Sequence, residues 1–209
     1  MAALLTLGVA SARAEEGGTV KGKVSGADGA STVVVYVEKV ANSTPKSSER
    51  KPPEMTQRNS AFVPSVVVVR AGESVAFPNE DKIYHNVFSL TPGNDFDLGL
   101  YRSGVSKTVQ FKEPGEVDVF CNIHPDMVAK VLVLQNDYYA EVKKDGSYEI
   151  RGLPPGKHVV VAWTPEHKPE RKEIAVQAGK SASADFGLSR REQSKGHLNK
   201  NGEQYGRYK

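Results

Sequence analysis

Val117 to Val133 reads V-D-V-F-C-N-I-H-P-D-M-V-A-K-V-L-V. A strand ends at Cys121, a tight loop carries His124 and Met127, and a second strand leaves. Thiolate, imidazole and thioether recur at three-residue intervals, so one loop can fold all three toward a single point. Upstream, D-K-I-Y-H-N-V (Asp81 to Val87) sets a second histidine, His85, beside an apolar strand.

Outward from this stretch there is no helical periodicity of useful length. Short β-branched runs recur instead, divided by Gly, Pro, Asn and Asp: Thr32–Val37, Ser65–Arg70, Ser74–Phe77, Tyr84–Leu90, Ser106–Phe111, Glu116–Phe120, Ala129–Leu134, Ser147–Ile150, His158–Trp163 and Glu173–Val176. Runs so spaced predict an all-β chain of sandwiches. Gly72, Pro78-Asn79-Glu80-Asp81, Pro114-Gly115, Asp145-Gly146 and Pro154-Pro155-Gly156 read as turns. Residues 41–54 are a Ser/Pro/Lys linker, and residues 189–209 read as a basic disordered tail with little to bury.

The formal charge of +3 is uneven. The tail holds Arg190, Arg191, Lys195, Lys200, Arg207 and Lys209 against Glu192 and Glu203, which leaves the body nearly neutral. That distribution argues against a nucleic-acid partner. Residues 1–14 (M-A-A-L-L-T-L-G-V-A-S-A-R-A) are apolar, short and end on Ala12-Arg13-Ala14, which predicts a signal peptide. No run approaches the ~20 apolar residues of a transmembrane helix, so none is expected, and the compartment expected is the periplasm or outside the cell. In an oxidising compartment a lone cysteine, Cys121, cannot form an intrachain disulfide. It therefore needs burial, an intermolecular bond or a metal.

Two imidazoles and a thiolate in a plane, with a weak axial thioether, are the donor set of type 1 (blue) copper. Soft sulfur suits Cu(I) and imidazole suits Cu(II), so a rigid site between the two preferences changes valence with little reorganisation. Other readings of the same residues stay open. Structural zinc takes Cys and His but has no use for Met127. A Cys121/His124 nucleophile pair would need an orienting group and an oxyanion motif, and neither stands out. A buried Cys and Met beside surface histidines is the plainest alternative. His158, His167 and His197 read as structural or solvated, and Trp163 as a core or edge aromatic.

The run F-V-P-S-V-V-V-V-R-A-G-E-S-V-A-F-P-N-E-D (Phe62 to Asp81), then Y-H-N-V-F-S, then C-N-I-H-P-D-M resembles the cupredoxin family, in its plastocyanin/amicyanin-like branch and among proteins named for methylamine utilisation. The resemblance covers Met55 to Gln135, and the domain expected from it is residues 55–137. It implies a Greek-key β-sandwich with one copper near one end, held by His85, Cys121, His124 and axial Met127. It also implies that Asn86 ties the two ligand loops together, with a backbone N–H toward the cysteine sulfur. The partner so implied is a redox protein, a c-type cytochrome or a dehydrogenase.

D-G-S-Y-E-I-R-G-L-P-P-G-K-H-V-V-V-A-W (Asp145 to Trp163) and I-A-V-Q-A-G-K-S-A-S-A-D-F-G-L (Ile174 to Leu188) resemble the carboxypeptidase regulatory-like, or transthyretin-like, β-sandwich. The opening strand of such a module, G-T-V-K-G-K-V, stands far upstream at Gly18–Val24. The expectation is a split second sandwich, residues 18–40 and 138–188, with the cupredoxin inserted in one of its loops. A rival reading gives Thr32–Val37 to the cupredoxin. The function expected is that of an electron carrier and not an enzyme. The alternatives are a copper-binding or trafficking protein without electron-transfer turnover, and an interaction protein that holds copper incidentally.

Overall fold

A strand buried on both faces reads as a continuous apolar run, whereas one with a solvated face alternates. Both kinds occur here, and their distribution sets the architecture. The computed structural model describes residues 17–40, 51–192 and 198–203, and the regular elements among them are strands. The expected signal peptide, residues 41–50 of the expected linker, and tail residues 193–197 and 204–209 lie outside the described residues. No described helix is long and apolar enough to cross a membrane.

Two strands come first, β1 (Gly18–Ser25) and β2 (Val34–Val37). Nine follow: β3 (Thr56–Arg58), β4 (Ala61–Val63), β5 (Val66–Arg70), β6 (Ser74–Pro78), β7 (His85–Ser89), β8 (Phe96–Tyr101), β9 (Ser106–Gln110), β10 (Gly115–Phe120) and β11 (Val128–Leu134). The rest are β12 (Tyr139–Glu141), β13 (Ser147–Leu153), β14 (Gly156–Trp163), β15 (His167–Lys168), β16 (Glu170–Val176), β17 (Ser181–Ser183), β18 (Phe186–Gly187) and β19 (Ser189–Arg190).

The middle group forms one sandwich. Its larger sheet has the order β5-β11-β10-β7-β8, with β5 parallel to β11 and the remaining pairs antiparallel. The facing layer is the β6–β9 pair plus the β3–β4 hairpin, which meets β6 through bridges at Glu54/Ala76 and Gln57/Asn79. Phe62, Val75 and Phe77 of this layer pack on Val117, Val119, Val131 and Val133 of the sheet. The strand β8 (F-D-L-G-L-Y) was not among the runs expected from sequence, because Asp97 and Gly99 break its apolar pattern.

The first and last groups form a second β domain. β1 pairs antiparallel with β13 and parallel with β17 and β18, while β12, β2, β14 and β16 make the facing sheet. In chain order the inner sandwich therefore lies between β2 and β12 of the outer one. Glycine in mid-strand usually weakens a sheet, but a Cβ at Gly22 of β1 would sit 2.1 Å from the Ala184 carbonyl oxygen. The close approach of the 184–187 segment requires its absence.

The continuous runs explain how the sandwiches meet. In β5, Val67 and Val69 face the inner core while Val66 and Val68 face outward. In β11, Val131 and Val133 face in, and Leu132 and Leu134 face out. From the outer domain, Val35 and Val37 enter its own core and Val34 and Tyr36 turn the other way. Val34, Val66, Leu132, Leu134 and Trp163 make a third apolar cluster between the domains, with Trp163 2% exposed. Period-two geometry thus sends one set of residues into each core and the other set into the joint.

Two expectations are corrected at their edges. Residues 189–192 are not a disordered tail: Ser189–Arg190 pairs with His167–Lys168, and Arg191 bonds Glu116. Composition reads basic residues as solvated, but a half-buried carboxylate across the joint gives Arg191 a place. Residues at the end of the expected linker are likewise in the sheet, since the Pro53 carbonyl accepts from Ala76 N–H at 2.9 Å.

Candidate metal centre

β10 and β11 pair up to Phe120 and Val128, and the seven residues between them form the loop of interest. The Met127 N–H donates to the His124 carbonyl at 3.0 Å, closing a four-residue turn with Pro125 second, where proline's fixed φ is favoured. Cys121 N–H then donates to the Met127 carbonyl at 3.2 Å, so the loop is pinned at its neck. His85 opens β7, the neighbour of β10 in the sheet.

These elements bring three donor atoms together. His85 Nδ1 lies 3.1 Å from His124 Nδ1, Cys121 Sγ lies 3.5 Å from His124 Nδ1, and Cys121 Sγ lies 3.9 Å from His85 Nδ1. A point equidistant from all three is about 2 Å from each, the length of a metal–imidazole bond. Among the described residues this is the one group of three or more His, Cys, Asp or Glu side chains converging in this way. His85 and Cys121 are 0% exposed and Met127 1%, while His124 is partly exposed. Met127 packs in the same core cluster as Cys121.

Electrostatics suit a cation here. Burial, and then the neighbouring His85 ring, push His124 below the usual histidine range, so it is neutral and free to ligate at pH 7. His85 Nε2 meets the Asp81 carboxylate at 2.8 Å. Burial would raise Asp81, but bonds from the Ser60 amide, the His85 ring and the Asn59 amide outweigh it and hold the carboxyl below its usual range. Two imidazole nitrogens and a cysteine sulfur converging within 3.9 Å of one another fit a soft or borderline metal such as copper.

The side-chain amide of Asn86 donates to Asp97 Oδ1 at 2.6 Å, and Asn86 Oδ1 is buried with no hydrogen-bond partner. From Asp97 the contacts continue to the other ligand loop through the tail. Lys200 Nζ bonds Asp97 at 2.7 Å and Lys200 N–H donates to Asn122 at 3.0 Å. Sequence reasoning missed Asp81, Asp97 and Lys200. Asp81 had a signal, an acid four residues before the histidine; Lys200 had none, because its partners are 103 and 78 positions away. His158 Nε2 contacts the Pro154 carbonyl at 2.8 Å, and His167 is 1% exposed; both lie outside the donor cluster. His197 lies outside the described residues.

No protein-family model matches the chain. Amicyanin-alpha from Methylorubrum extorquens is 37% identical over 70 residues, which span 32% of this chain and 59% of that protein. Among solved structures, a Cu(I) mutant of amicyanin aligns with 46% of this chain and 96% of its own at 18% identity and a TM-score of 0.38. A copper-containing nitrite reductase from Thermus scotoductus aligns with 48% of this chain and 26% of its own at 23% identity and a TM-score of 0.40.

Proposed function

We propose that this chain, which belongs to the cupredoxin family, holds one copper ion between His85 Nδ1, Cys121 Sγ and His124 Nδ1, with Met127 as a weak axial donor, and carries single electrons between redox proteins outside the cytoplasm. The observation behind the reading is the donor triangle, whose edges of 3.1, 3.5 and 3.9 Å suit one small ion. Bound copper supplies a Cu(II)/Cu(I) couple. The residues supply rigidity: Cys121 and Met127 are locked in the core, and two backbone bonds brace the loop that carries them. A ligand set that cannot rearrange keeps the reorganisation cost of an electron step low.

His124 is the member of the set that reaches solvent, so electrons enter and leave by its edge. His85, Cys121 and Met127 are buried, so a substrate has no direct approach to three of the four donors. That favours a carrier over an enzyme. Residues 1–14 support a location in the periplasm, and the likeness to amicyanin supports a redox protein as partner, a c-type cytochrome or a dehydrogenase.

Adding Cu(II) to the apo-protein should produce the intense visible thiolate-to-copper band in the wild type and none in Cys121→Ala. A wild-type chain without the band ends the copper reading. A wild-type chain with the band that exchanges electrons with neither a c-type cytochrome nor a dehydrogenase is a copper-holding or trafficking protein instead.

A further inference from the structure

Asp81 ligates nothing, yet its surroundings are more constrained than a turn residue needs. Its side chain is 13% exposed. Oδ2 accepts from Ser60 N–H and meets His85 Nε2, each at 2.8 Å, and Oδ1 accepts from Asn59 N–H at 2.6 Å. Its own N–H donates to Asn79 Oδ1 at 2.9 Å. Asn79, 1% exposed, in turn donates to the Ile83 and Tyr101 carbonyls at 2.9 and 3.1 Å. Asn59 and Ser60 form the β3–β4 turn, both at φ 53°, a region non-glycine residues rarely occupy. That turn aims two successive amides at one carboxylate.

The ring of His85 has two nitrogens and two different neighbours. Nδ1 faces the donor triangle and Nε2 faces Asp81. A carboxylate accepts and does not donate, so a proton is held on Nε2 and the lone pair is left on Nδ1. We propose that Asp81 is the positioning residue of the centre. It sets the His85 tautomer before any metal arrives, and its negative charge, passed through the imidazole, favours the more highly charged valence of the bound ion and lowers the reduction potential. The second part rests on the copper reading; the first does not.

A merely structural Asp81 would staple the β3–β4 turn to the His85 loop and affect stability alone. The test therefore reads two quantities that stability does not move. In the metal-free full-length wild type, long-range ¹⁵N–¹H correlation should show His85 with its proton on Nε2. A proton on Nδ1 overturns the assignment, and this measurement needs no variant to fold. In the copper-loaded protein, Asp81→Asn should keep the visible band but shift the Cu(I):Cu(II) ratio toward Cu(I) by about tenfold at a fixed solution potential, ~59 mV for one electron. Asp81→Glu, which restores the charge, should recover part of the shift. An Asp81→Asn protein with the wild-type band and the wild-type potential sinks the tuning role, whereas absence of the band from the wild type sinks the copper reading and leaves the tautomer result standing.

Discussion

β10 has a cluster of polar groups at each end, and the two are built on opposite plans. At its start, Glu116 takes Trp163 Nε1 at 2.7 Å, Arg191 Nη1 and Nη2 at 3.1 and 2.9 Å, and Lys130 Nζ at 2.6 Å. An acceptor is surrounded by donors and an anion by cations, so the cluster is complete in itself. Just past its other end, Cys121 meets His85 and His124, and one sulfur and two ring nitrogens converge on one point. Complementary groups hold parts of a protein together; like groups that converge under burial need something else to bind. The same strand thus joins the domains with one end and builds the metal centre with the other.

The contrast breaks most visibly if the wrong histidine matters. His85→Ala in the copper-loaded chain should abolish the visible band, and His167→Ala should leave its position unchanged, although the two rings are 0% and 1% exposed. Equal loss in both would mean that burial, and not convergence, makes the site. Next in size, Trp163→Ala removes the largest side chain of the joint and one donor to Glu116. It should cost ~3–5 kcal/mol in urea unfolding with the copper band unmoved. A shifted band would show that the two ends of β10 are coupled.

The smallest effect is the response of the Glu116 end to acid. Burial would raise Glu116, but Arg191, Lys130 and Trp163 outweigh it and hold the carboxyl below its usual range. Its folded value is thus the depressed one. The stability it contributes is complete above the unfolded value of ~4.3 and is lost as pH falls through the folded value. Chemical denaturation between about pH 5 and 2 should show a shallower fall for Glu116→Gln than for the wild type. Parallel slopes would mean that Glu116 adds nothing to the acid response.

Legibility in the sequence followed distance along the chain. Cys121, His124 and Met127 could be read together because one seven-residue loop carries them and a proline shapes its turn. His85 was readable from its place beside an apolar strand. Asp81 sat in plain view but had been absorbed into a turn cluster, since a turn-forming aspartate and a histidine-orienting one look alike until the β3–β4 hairpin is placed. The runs V-V-V-V and V-L-V-L announced strands, but not that Leu132 and Leu134 would cover a second domain while Val131 and Val133 filled the first. Arg191 looked solvated because the carboxylate that receives it lies 75 residues away.

By itself the sequence determined the element type, from β-branched runs cut by turn residues, and the chemical identity of the donors, from a thiolate, an imidazole and a thioether at fixed local spacing. Both are properties of a few adjacent residues and survive any arrangement of the rest. Only the tertiary structure decided which face of each strand met which core, how β1 and β2 found partners more than a hundred residues later, and that a carboxylate stands behind His85. Those outcomes depend on packing between segments that no local pattern links, and burial then turns most approaches of polar groups into specific contacts, because an unpaired buried polar atom is costly.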